Sequence, residues 1–125
     1  MKSIFVSYVF EDKPFLNKMK NWEEKGLMEE YTFTFEKEDK RHEGEKAIKN
    51  YLKNLIKGSA IILVLIGDNT HNHDWIKIEV ELANNFNKKI RCVRIPGTTG
   101  KKPEILKNYK ELTFNPNQIL KELRK

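Results

Sequence analysis

An internal disulfide is out of reach for this chain, because it has a single cysteine, Cys92. None is needed: a chain of 125 residues buries roughly two-thirds of the surface its unfolded form exposes, enough to hold a core without a disulfide or a metal. Cys92 lies in the apolar run IRCVRI, where a buried thiol in a strand is expected. Long hydrophobic runs are also missing, and nothing approaches the roughly 18 apolar residues of a membrane span. The start, MKSIFVSY, passes directly into a strand-like pattern, without the longer apolar core and cleavage site of a signal peptide. A cytoplasmic protein with no membrane association is therefore expected. There is no internal repeat and no low-complexity segment. No G-x-G-x-x-G follows the first strand pattern, which argues against a Rossmann dinucleotide grip, and no Walker-type G-K-[ST] loop is present.

Blocks of like charge are missing too. The net charge is +6, yet the lysines are interleaved with acids, as in EDKRHEGEK and KELRK. The densest basic pairs, Lys88 with Lys89 and Lys101 with Lys102, fall where loops are expected. That spread reads as solvated faces. No nucleic-acid partner is expected, only a weak attraction for an anionic ligand such as a dinucleotide.

What is present is a regular alternation of strand and helix patterns. Residues 3–8 (SIFVSY), 31–35 (YTFTF), 60–66 (AIILVLI) and 90–95 read as strands, with a short edge strand around 111–114. The AIILVLI run has no alternation at all, as a central parallel strand covered on both faces requires. Helical spacing runs over residues 12–25, with Phe15, Leu16, Met19 and Trp22 on one stripe, and over 45–57, with Ile48, Tyr51, Leu52, Leu55 and Ile56. Two more helices are expected over 74–86 and 117–125, and polar loops over 36–44 and 67–73. A short helix between the fourth and fifth strands is also allowed for. This order predicts one α/β domain over residues 1–125: a flavodoxin-like three-layer sandwich with a five-stranded parallel sheet in the order 2-1-3-4-5. Ligands of such folds bind at the carboxyl ends of the strands, where strand order reverses, here between the loops after strands one and three.

One residue breaks the pattern. On a helical wheel, Ile78, Leu82 and Phe86 fall to either side of Trp75 and define the expected buried stripe. Glu79 falls inside that stripe, next to Phe86, while Glu81 falls well away from it and faces water. A carboxylate on the sheet-facing side is costly unless it is paired or reaches a cleft, so Glu79 is a candidate functional group beside the carboxyl-end face. The alternative is a carboxylate that snorkels outward or binds a neighbouring backbone group. Ser7 and Tyr8 end the first strand, where a hydroxyl would face the same cleft. Asp12 and Asp74 are read most simply as helix N-caps. His71 and His73 with Asp74 lack a third His or Cys nearby, so no metal is expected. A phosphate-responsive receiver shares this topology, but it would need adjacent acids closing strand one and an aspartate closing strand three. Strand one closes instead with Ser7-Tyr8, and Asp68 lies beyond a glycine.

The opening IFVSYVFED, an apolar strand ending in Ser-Tyr with an acid four residues after the Tyr, resembles the start of TIR and TIR-like domains. The stretch VLIGDNTHNHDWIKIEVELA resembles the third strand and following helix of the bacterial TIR-like group, in which a V-L-I-G strand leads to Trp, three residues, then Glu. IRCVRI fits the strand after that helix. The likeness extends to the TIR-like proteins of the Thoeris anti-phage defence system and covers about the first 95 residues. It implies a flavodoxin-like fold and NAD as substrate, with no metal or further cofactor. The implied reaction is cleavage of the nicotinamide–ribose bond and formation of a cyclic ADP-ribose isomer that activates a separate effector. The family's catalytic glutamate corresponds to Glu79. Ser7 and Tyr8 would line the substrate cleft, Trp75 would shape its wall and Asp12 would order the first loop. Self-association is a further expectation. Because many TIR domains are adaptors, a non-catalytic interaction module is the alternative reading.

Overall fold

The computed structural model of the chain describes residues 1–36 and 44–125, so most of the polar loop expected over 36–44 lies outside the described residues. The strands are β1 (Lys2–Ser7), β2 (Tyr31–Thr34), β3 (Ile61–Ile66), β4 (Lys89–Arg94) and β5 (Glu111–Thr113). The helices are α1 (Lys13–Glu24), α2 (Glu45–Lys57), α3 (Asp74–Asn85) and α4 (Pro116–Leu123). Short 3-10 turns cover Phe10–Asp12, Thr70–Asn72 and Glu104–Leu106. The last of these is all that forms where a short helix between β4 and β5 was allowed for. The sheet is parallel throughout, in the order β2-β1-β3-β4-β5, so the expected fold is the one observed.

β3 shows why the central strand needs no alternation. All six of its residues are buried. Ile61, Leu63 and Leu65 pack with Leu16 and Met19 of α1 and Ile119, Leu120 and Leu123 of α4. Ile62, Val64 and Ile66 pack with Ile48, Leu52 and Ile56 of α2 and Ile76, Val80 and Ala83 of α3. Successive side chains point to opposite faces, and each face meets its own helical layer. Cys92 belongs to the second layer. Burial pushes its thiol up to about 11, so it is an inert core group.

The helix boundaries follow local chemistry. Pro14 sits in the first turn of α1, where a missing N–H costs nothing. Asn115 caps α4, its side chain accepting from the N–H groups of Asn117 at 2.9 Å and Gln118 at 3.2 Å. Asp12 is the N-cap residue of α1 as expected, but its side chain makes no cap bond. The expected cap at Asp74 is corrected: Asp74 is the first residue of α3, behind an N-cap at His73, and α3 too has no side-chain cap bond. The wheel of α3 is also offset. Its most buried residues are Ile76, Glu79, Val80 and Ala83, while Ile78, Leu82 and Phe86 are half-buried. Glu79 lies inside the buried stripe on either reckoning. Among the described residues, no helix is long and apolar enough to cross a membrane.

Candidate active site

The strand ends form a staircase. Thr34 of β2 pairs with Phe5, Ser7 of β1 pairs with Val64, and β3 continues to Ile66 opposite Arg94. β1 therefore stops two residues short of β3, and the chain leaving Ser7 peels away from the sheet at the point where strand order reverses. A cavity of about 320 Å³ opens there, lined by Tyr8, Val9 and Phe10 after β1 and by His73, Trp75 and Ile76 at the start of α3.

The surrounding loops are tied to one another. Asn69 donates to both carboxylate oxygens of Glu11, at 3.1 and 3.0 Å, joining the loops after β1 and β3. Thr70 is fully buried and turns the β3 loop back, accepting from Gly67 N–H at 2.8 Å and donating to the Leu65 carbonyl at 3.1 Å. Asp12 is buried against Gly67, where an added Cβ would lie 2.5 Å from its Oδ2. Glycine is what lets that carboxyl fit. Oδ2 has no hydrogen-bond partner among the described residues. Burial, then the charges of Glu11 and Asp68, raise the Asp12 carboxyl above its ordinary value, while His73 pulls the other way.

The structure brings two of the expected site residues, Tyr8 and Trp75, to the cavity wall. Ser7, Asp12 and Glu79 are buried, at 1%, 7% and 3% exposure, and do not line it. Ser7 follows the alternation of β1 onto the face covered by α2 and α3, the layer that holds Phe5 and Val9. Its hydroxyl is buried with no hydrogen-bond partner among the described residues. Glu79 is three residues after Ile76 and four after Trp75, which places all three on adjoining turns of one helix face. Side chains of a helix lean toward its N-terminus, and the N-terminus of α3 is at the cavity. The Cα–Cβ bond of Glu79 is therefore tilted toward the wall that Trp75 and Ile76 form.

Sequence reasoning missed Phe10, a residue 77% exposed that lines the cavity. The available signal was a phenylalanine in VFED that belongs to neither a strand nor a helical stripe. His73 was weighed only as a metal ligand. Among the described residues no group of three or more His, Cys, Asp and Glu could hold a metal ion.

The TIR-like domain family of Thoeris protein ThsB matches residues 5–100, from β1 through the loop after β4. The chain belongs to this family. Among curated protein sequences there is no match to this TIR-like chain. Among solved structures it is similar to a 2-desoxiribosyltransferase from Leishmania mexicana, with 11% identity, a TM-score of 0.64, and 99% and 98% of the two chains covered. It is also similar to the CMP N-glycosidase BcmB of Clostridium botulinum, with 15% identity, a TM-score of 0.59, and 99% and 100% covered. At such identities the likeness is one of fold.

Proposed function

We propose that this TIR-like domain cleaves the nicotinamide–ribose bond of NAD, with Glu79 as its catalytic carboxylate. The observation that carries the reading is the placement of Glu79: a carboxylate 3% exposed, one turn behind the Trp75–Ile76 wall of a cavity at the carboxyl ends of β1 and β3. Membership of the Thoeris TIR-like family supports it. So do the two structural neighbours: by name one moves a deoxyribosyl group and the other cleaves an N-glycosidic bond.

The chemistry suits these groups. Nicotinamide leaves as a neutral molecule and takes the electrons of the C–N bond, so positive charge develops on the ribose. A preorganised carboxylate in a water-poor site stabilises that charge, or holds the ribose hydroxyls, more strongly than water does. Tyr8, Phe10 and Trp75 offer aromatic faces on which the flat nicotinamide ring can stack. Attack of water at the ribose carbon then yields ADP-ribose and a proton. Attack by another oxygen or nitrogen of the same molecule yields a cyclic ADP-ribose isomer, the product we assign, which would act on a separate effector in anti-phage defence. NAD enters as substrate, and no step requires a metal or a resident cofactor.

The burial of Glu79 is also what a non-catalytic interaction module would show if the carboxylate were structural, and one assay separates the two. Concentrated purified protein is incubated with NAD beside Glu79→Gln, with the products resolved by mass and retention. The expected result is nicotinamide release that falls by about 100-fold or more in the variant, with a cyclic product one water lighter than ADP-ribose. A folded wild-type chain that releases nothing, alone or in lysate of phage-infected cells, favours the module.

A further inference from the structure

A second cavity, of about 390 Å³, opens on the other side of the first turn of α3. The two cavities share His73: Trp75 and Ile76 belong to the first, Asp74 and Lys77 to the second. Its far wall is Pro103, Glu104 and Ile105, from the 3-10 turn between β4 and β5. That wall is held in place. Asp68 Oδ1 accepts from Thr99 N–H at 2.8 Å and from Gly100 N–H at 3.2 Å, tying the β3 loop to the β4–β5 connection. A Cβ on Gly100 would overlap the carbonyl oxygens of Gly67 and Asp68, so only glycine permits this approach.

The lining has the chemistry of a nucleoside site. Pro103 is buried and Ile105 half-buried, a small apolar wall for the face of a base. Asp74 and Glu104, the latter paired with Lys107 at 3.2 Å, supply carboxylates able to accept hydrogen bonds from the vicinal hydroxyls of a ribose. Lys77 and two imidazoles set against two carboxylates make a poor trap for a doubly charged phosphate group, but a good one for an uncharged sugar and base. The ridge between the cavities is the first turn of α3, which follows an N-cap at His73 without a side-chain cap bond, carries the carboxylate of Asp74 and ties Ile76 N–H to the His73 carbonyl at 3.2 Å. Both cavities stand near the lower end of the roughly 300–1,000 Å³ of ligand pockets, so each suits one nucleoside and neither a whole dinucleotide.

We propose that the second cavity is the subsite for the purine nucleoside of the dinucleotide, so that the substrate lies across the first turn of α3. The proposal takes the identity of the substrate from the NAD-cleavage reading, and its test does not depend on turnover. ADP-ribose is titrated into the full chain by calorimetry, with AMP as competitor and ribose 5-phosphate as control. Ile105→Trp fills the cavity, and Glu104→Lys removes an acceptor at an exposed position where folding is not at stake. The expected result is an ADP-ribose affinity at least about 10-fold weaker in Ile105→Trp and about 5-fold weaker in Glu104→Lys, with AMP competing and ribose 5-phosphate binding poorly. Wild-type protein that binds no ADP-ribose at millimolar concentration, or variants that both bind it unchanged, overturn the proposal. A chain that binds ADP-ribose here yet leaves NAD intact keeps the subsite and loses the cleavage reading. Nicotinamide release with unchanged ADP-ribose binding in both variants does the reverse.

Discussion

Asp12 shows at the scale of one residue how a site is assembled at a cost in stability. Its carboxyl is buried against Gly67, and burial, Glu11 and Asp68 raise it above the ordinary 3.8. The folded chain therefore holds that proton more tightly than the unfolded chain from about 3.8 up to the raised value. Protons bound in excess by the folded state mean that stability falls as pH rises through that window, and the charged form is the costly one at neutral pH. Asp12→Asn is expected to raise the midpoint of thermal unfolding at neutral pH and to flatten its pH dependence over the window. Melts taken across that range check it, and a lower midpoint at neutral pH would reveal a stabilising partner for the charge. Sequence alone offered Asp12 as a cap, because an acid before a lysine-proline helix start usually is one. Its place against Gly67 was hidden, since the two residues meet only when β1 and β3 pair. Glu79 was legible for the opposite reason: helical periodicity is local, and a carboxylate in an apolar stripe stands out before any tertiary structure is known.

The elements at the margins of the sheet are closed by side chains rather than by further strands. At the outer edge of β2, Phe33 N–H donates to Glu23 of α1 at 2.6 Å, and Lys20 donates to the Phe33 carbonyl at 2.6 Å. The Thr32 hydroxyl also donates to Glu23, at 3.0 Å. On β5, Thr113 N–H donates to Gln118 of α4. An open strand edge templates pairing with another chain, so these contacts oppose edge-to-edge association. The double variant Lys20→Ala, Glu23→Ala is expected to form concentration-dependent dimers or larger species more readily than the wild type, read by light scattering. Unchanged scattering would confine the two side chains to fastening α1. The strands themselves were legible to within one or two residues, because apolar runs bounded by turn residues mark them. The α3 wheel was less so. Leu82 and Phe86 are only half-buried while Ile76, Val80 and Ala83 are buried, because only the approach of the helix to the sheet decides which side is closest.

For the whole molecule, stability rests on two apolar layers that share β3. Leu63 is fully buried between α1 and α4, and replacing it with Ala leaves a cavity no neighbour can fill without moving the sheet. Leu63→Ala is expected to cost roughly 2–5 kcal/mol, a large part of the roughly 5–15 kcal/mol available to a domain. Urea unfolding checks this beside Lys53→Ala at an exposed position, expected to stay within about 0.5 kcal/mol. A loss below about 1 kcal/mol for Leu63→Ala would mean that the layers relax to fill the space. The sequence by itself determined the fold class, the strand order and the singularity of Glu79. Those follow from periodicity, from the handedness of crossovers and from the scarcity of charge in apolar stripes, all of which act within or between neighbouring segments. The tertiary structure alone decided that Phe10 and His73 meet Trp75 at one cavity, that Ser7 and Asp12 lie buried behind it, and that a second cavity adjoins it through His73. These are contacts between loops after different strands, and their geometry is set by how far each strand runs past its neighbour.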